Sequence, residues 1–201
     1  MYRCFLYMND EDNVSMKTSH KINSDYTLWQ DFKQGDKKAL EKIYKSNYTM
    51  LFNYGWRIVQ DEDLIRESIQ ELFLYMVSHL KSLGATDNIR SYLMVSLRRR
   101  LYNHIKTSRK MAVNETGASF KNDLKWSNDL EKIGNEISEE RKATLDRNIK
   151  QLAKREQEAI YLRFYKEMSY PEIAEIMDIH SESVRKLIYR AVKSLRAMSH
   201  V

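Results

Sequence analysis

The chain has 201 residues, 42% hydrophobic and 31% charged, enough apolar material for one medium core or two small ones and too much for a disordered chain. One proline and five glycines leave few obligatory breaks, which favours long helices over a turn-rich β-sandwich, so the expected fold class is all-α. Lys and Arg number 34 against 28 Asp and Glu, and the resulting +6 suits a nucleic-acid partner only if the charge is segregated along the chain.

Residues 1–24 read as a loose leader. Met1 to Met8 holds few apolar residues before Asn9, Asp10, Glu11 and Asp12, short of the roughly 7–15 of a signal-peptide core. Met1, Met8 and Met16 are each candidate starts. Cys4 is the single cysteine, which excludes an intramolecular disulfide or a Cys-rich zinc site and suits a reducing cytoplasm, the expected location. No run of about 18 apolar residues occurs, so no membrane insertion is expected.

From Asp25 the pattern turns helical, with Leu28, Trp29 and Phe32 before a break at Gly35. Asp36 is placed to cap the next helix, in which Leu40, Ile43, Tyr44, Tyr48, Leu51, Phe52, Ile58 and Val59 paint one stripe over 37–59. Asp61, Glu62 and Asp63 put negative charge at the positive end of a further helix dipole. Leu64, Ile65, Ile69, Leu72, Phe73, Met76, Val77 and Leu80 carry the stripe on towards Leu83, with Gly84 as the cap. Residues 85–88 make a polar loop, and Ile89, Leu93, Leu97, Leu101 and Ile105 step by four along another helix. Together these elements predict a helical bundle over 25–110.

Periodicity is lost over 111–143, a linker in which Phe120, Leu124, Trp126 and Leu130 are scattered. Leu145, Ile149 and Leu152 open a second domain, 144–201, followed by Ile160, Leu162 and Phe164 on a helix from about Lys154. Ser169-Tyr170-Pro171-Glu172 has the spacing of a capping box, with proline in the first turn where its missing N–H costs nothing. Ile173, Ala174 and Ile176 face inward, Asp178-Ile179-His180 turn the chain, and Val184, Leu187, Ile188, Ala191, Val192 and Leu195 line the last helix. This is a helix-turn-helix pattern, whose second helix enters a major groove.

The charge is segregated. Between Asn88 and Asn114 stand Arg90, Arg98, Arg99, Arg100, Lys106, Arg109 and Lys110 with no acid, whereas Asp61, Glu62, Asp63, Glu67 and Glu71 face Arg66 alone. The linker from Glu115 to Asp146 has eight acids against five bases, and Arg185, Lys186, Arg190, Lys193 and Arg196 make the last helix basic again. Two basic elements therefore bracket an acidic connector, as a protein touching a duplex at two places requires.

Ala174 is small where the two helices of such a motif cross, Ile179 is expected to be buried in the turn, and Val184 packs back. With the segment from Leu152 to Phe164, this tail resembles the promoter-reading C-terminal domain of bacterial sigma factors of the extracytoplasmic-function (ECF) type, in the sigma-70 family. The N-terminal bundle is similar to the same family. Ala39-Leu-Glu-Lys-Ile-Tyr44 and the segment from Asp63 to Phe73 resemble its second region, including the Gln-Glu-x-Phe signature as Gln70-Glu71-Leu72-Phe73. The segment from Ile89 to Asn103 resembles the basic helix that follows its promoter-melting loop. The likeness covers 25–110 and 145–198 in order; it departs at Asp178, where glycine is usual, and at Leu187, where many relatives carry a base.

The resemblance implies a sigma factor that binds core RNA polymerase and directs it to promoter DNA, held in check by an anti-sigma partner. Asp63, Glu67, Gln70 and Glu71 would rim the polymerase contact, with Leu72 and Phe73 divided between contact and core. Thr86, Asp87, Asn88, Arg90, Arg98 and Arg99 would take the melted −10 element, the polar loop residues on a flipped base and the arginines on phosphates. Glu182, Ser183, Arg185, Lys186, Tyr189 and Arg190 would read the −35 duplex, Arg185 and Lys186 suiting guanine and Glu182 cytosine. The linker is a tether or, on the resemblance, a mimic of nucleic acid in the polymerase cleft.

An enzyme is not expected. His20, His79, His104, His180 and His200 are scattered, there is no His-Glu-x-x-His pair or glycine-rich phosphate loop, and no cofactor is called for. The alternative is a stand-alone dimeric helix-turn-helix regulator, in which the acidic segment 61–80 would have no task and the wrong sign for DNA.

Overall fold

The computed structural model describes residues 15–112 and 139–199, all in helices and turns, and the chain divides into an N-terminal and a C-terminal compact unit. In the first unit lie α1 (Ser15–Lys33), α2 (Lys37–Ile58), α3 (Glu62–Ser78) and α4 (Ile89–Ala112). Helix α2 packs on α1, α3 and α4, and α3 also packs on α4. The apolar stripes meet in a core containing Trp29, Phe32, Ile43, Leu51, Tyr54, Ile65, Leu72, Met76, Leu93, Leu97 and Leu101. At Gly55 the packing is closest, because a Cβ there would stand 2.8 Å from Ile65 Cγ2.

The helix ends follow from local chemistry. Gly35 adopts φ +91, which a side chain disfavours, and lets Asp36 accept the Lys38 N–H at 2.8 Å. Asp61 likewise accepts the Leu64 N–H at 3.0 Å. Two expectations are corrected. Helix α1 starts at Ser15 rather than Asp25, consistent with the absence of glycine and proline from Ser15 to Lys33. Helix α3 stops at Ser78, short of Leu83, where Ser78 and His79 side chains engage the Leu74 and Tyr75 carbonyls at 2.9 Å. Gly84 is therefore no helix cap; its carbonyl accepts the Trp29 indole N–H at 2.8 Å and pins the following loop to α1.

The second unit contains α5 (Glu139–Lys150), α6 (Lys154–Ile160), α7 (Tyr170–Met177) and α8 (Ser181–Ser199). Helix α5 begins within the expected linker; Phe120, Leu124, Trp126 and Leu130, like Cys4 and His200, lie outside the described residues. The helix expected to carry Leu162 and Phe164 widens after Ile160 into a π-helical turn, Tyr161–Tyr165, with Leu162 buried and Phe164 half-buried. The predicted capping box is present: Glu172 accepts the Ser169 N–H at 2.7 Å, and the Ser169 hydroxyl accepts the Glu172 N–H at 3.4 Å. Helix α7 ends at Asp178 in the left-handed region, φ 54 and ψ 54. Ala174 and Val184 are buried at the crossing, whereas Ile179 is half-buried rather than enclosed.

Candidate nucleic-acid interface

Helix α8 has two faces. Val184, Leu187, Ile188, Ala191, Val192 and Leu195 are buried, so Leu187 is a core residue rather than an empty base-reading position. Glu182, Ser183, Arg185, Lys186, Tyr189 and Arg190 are all exposed, Tyr189 to 69%, as the sequence predicts for a recognition face. Lys186 lies 3.9 Å from Glu182, and Arg190 lies 3.9 Å from Glu156 at the start of α6. The Arg185 guanidinium instead lies over the Tyr170 ring, 5.1 Å from its centroid. Tyr170 is a participant that sequence reasoning missed; its place at the first turn of α7, beside the Ser169 cap, was the available signal.

The N-terminal unit presents a second basic surface on α4. Arg99 is exposed; Arg98 is half-buried and lies 4.4 Å over the Tyr102 ring. Arg100 crosses to α3, 5.1 Å over Tyr75. Arg90 is half-buried and donates to the Met50 sulfur at 3.1 Å. In the preceding loop, Thr86 Oγ1 accepts the Asn88 N–H at 3.1 Å, and Asn88 Oδ1 accepts the Ser91 N–H at 3.0 Å. Thr86 and Asn88 thus also shape the turn, and Asn88 caps α4. Asp87 stays exposed.

Helix α3 carries the opposite charge. Asp63, Glu67, Gln70 and Glu71 are exposed, and Glu71 pairs with His104 of α4 at 3.3 Å. Arg66 bonds Glu62 at 2.6 Å and donates to the Tyr48 hydroxyl at 3.2 Å. The Glu62 bond raises the Arg66 pKa, and burial raises that of the Tyr92 phenol. Leu72 is fully buried, and Phe73 is 7% exposed and lines the groove between α2 and α3. Val77, expected in the inner stripe, is exposed, as are Leu74 and Tyr75. Leu74, Val77, Gln70, Tyr44 and Tyr48 line one shallow groove between α2 and α3. For Leu74 the signal was present in the sequence, because it falls outside the set 65, 69, 72, 73 and 76 that repeats at helical spacing; Val77, four residues after Phe73, fits that spacing and gave none.

Among the described residues no cluster fit to hold a metal ion occurs, and no helix is long and apolar enough to cross a membrane.

Comparisons with known proteins find relatives of this chain. Residues 142–195, which contain α6, α7 and most of α8, match the family model "Sigma-70, region 4". The chain is 24% identical over 159 residues to RNA polymerase sigma factor YlaC of Bacillus subtilis (strain 168), covering 79% of this chain and 90% of that protein. Among solved structures, CnrH bound to the cytosolic domain of CnrY is similar with a TM-score of 0.57 and 17% identity, over 88% of this chain and 97% of that one. The sigma factor RpoE bound to the anti-sigma factor NepR, from Bartonella quintana, gives 0.59 and 17%, over 86% and 98%. At that identity the two structures establish a shared all-helical fold.

Proposed function

We propose that this chain, a sigma-70-family factor of the extracytoplasmic-function type, binds core RNA polymerase and directs it to specific promoters to initiate transcription. The observation that carries the reading is the coincidence of the region 4 match with a helix-turn-helix whose α8 exposes Arg185, Lys186 and Arg190 on one face and buries the other. Residues 25–110 are the sigma region 2-like bundle, 111–143 the linker, and 144–201 the region 4-like domain. The exposed Asp63, Glu67, Gln70 and Glu71 dock on polymerase, with Leu74 and Val77 beside them as apolar contacts. Thr86, Asp87, Asn88, Arg90, Arg98 and Arg99 meet the melted −10 element; Glu182, Ser183, Arg185, Lys186, Tyr189 and Arg190 meet the −35 duplex. The factor selects the promoter and the polymerase performs the chemistry, so this chain acts in the cytoplasm and is no enzyme itself. An anti-sigma protein covering these surfaces fits the partner present in the RpoE structure.

The test is run-off transcription with purified core polymerase, this protein and fragmented genomic DNA, mapping RNA 5′ ends. Start sites sharing two upstream elements are expected. A folded protein that binds a palindromic duplex unaided and yields no transcript would instead establish the dimeric regulator.

A further inference from the structure

We infer that Tyr170 is a positioning residue for Arg185, presenting its guanidinium to promoter DNA, with Arg163 as a second cation against the ring; the DNA part of this inference rests on the reading of α8 as the promoter reader. Three groups converge from three elements. Arg163, in the π-helical turn, donates to the Met168 carbonyl at 2.9 Å and lies 5.1 Å from the Tyr170 ring centroid. Tyr170 is half-buried at the first turn of α7, immediately after Ser169, whose backbone is held by the capping box. Arg185, exposed on α8, lies over that same ring at 5.1 Å.

Both distances fall within the roughly 6 Å over which a ring's negative face attracts a cation. Lys186 and Arg190, by contrast, each lie 3.9 Å from a carboxylate rather than over a ring. A guanidinium held by an aromatic face keeps its N–H edges available, and those edges make the bidentate contact to guanine or phosphate. Holding the side chain before binding removes part of the rotamer freedom otherwise lost at the interface. Arg163 itself sits in the widened turn after Ile160.

Two measurements on the full chain test this. In the first, the Arg185 Nε–Hε group is followed by 15N relaxation. It is expected to be ordered in the wild type and in Tyr170→Phe, and mobile in Tyr170→Ala; equal order in all three would overturn the positioning role. In the second, reconstituted holoenzyme transcribes from a promoter mapped with the wild-type protein. Tyr170→Ala is expected to lose roughly 3–10-fold in promoter affinity. It should relax the same base position as Arg185→Ala, and the double variant should bind no worse than Arg185→Ala alone. Tyr170→Phe keeps wild-type preference. Losses that multiply, a uniform weakening at every base, or a Phe variant as weak as the Ala variant would each overturn the inference. If the wild type supports no transcription, the promoter reading falls, and the relaxation measurement still decides whether Tyr170 orders Arg185.

Discussion

Replacing Gln70 by Ala and Glu71 by Lys separates docking on α3 from folding of the bundle. Both residues are exposed. The Glu71–His104 pair spans 3.3 Å with side chains 46% and 34% exposed, and its loss costs about 0–1 kcal/mol. A lysine at 71 stands four residues after Glu67, an orientation that returns about 0.3 kcal/mol. The two nearly cancel, so the melting temperature should stay within about 5 °C of wild type. An interface centred on this face behaves differently: truncating one strong contact there costs about 2 kcal/mol or more, and charge reversal adds repulsion. The expected outcome is at least a roughly 30-fold loss of affinity for core polymerase. Thermal melting by circular dichroism and competition binding against the wild-type chain read the two quantities separately. A folded double variant that competes as well as wild type would refute the docking assignment.

Other perturbations address the fold and the recognition helix. Gly55→Ala drives a Cβ to 2.8 Å from Ile65 Cγ2, and the overpacking cost of about 1–3 kcal/mol exceeds the roughly 1 kcal/mol gained in helix propensity. A thermal melt should fall by about 5 °C. Asp178→Gly relieves a side chain at φ 54 and should raise stability by about 0.5 kcal/mol, read in the same assay. Arg185→Ala should cost about 1–3 kcal/mol in promoter binding and relax one base position, seen by promoter selection with holoenzyme.

Features decided within a few residues were legible in the sequence. Asp36 and the Ser169–Glu172 box act on N–H groups two or three positions away, and both form as predicted. The two faces of α8 follow from helical period alone. What escaped depends either on a contact distant in the chain or on a local choice that composition leaves open. Gly84 resembles a helix cap until Trp29, 55 residues earlier, claims its carbonyl. Thr86 and Asn88 have the composition of a reading loop and of a turn alike, and only the geometry shows each accepting a backbone N–H. The π-helical turn leaves no mark in the apolar pattern, because widening a helix by one residue changes which side chains meet without changing which are apolar.

The charge arrangement on α8 also bears on whether the proposed factor needs polymerase to hold DNA. Its exposed cations are Arg185, Lys186, Arg190, Lys193 and Arg196, and Lys186 and Arg190 each lie 3.9 Å from a carboxylate. Binding to duplex by α8 then neutralises only about 2–4 phosphates, which predicts a slope of log affinity against log salt between about −2 and −4 and weak binding by the isolated chain. Linking that contact to a second one on α4 through polymerase multiplies rather than adds the two affinities, because the second event becomes intramolecular. Duplex binding measured across a salt series should therefore be shallow for the chain alone and markedly steeper for holoenzyme. A slope for the isolated chain as steep as that of holoenzyme would mean that the carboxylates near Lys186 and Arg190 do not restrain them and that the chain needs no polymerase to hold DNA.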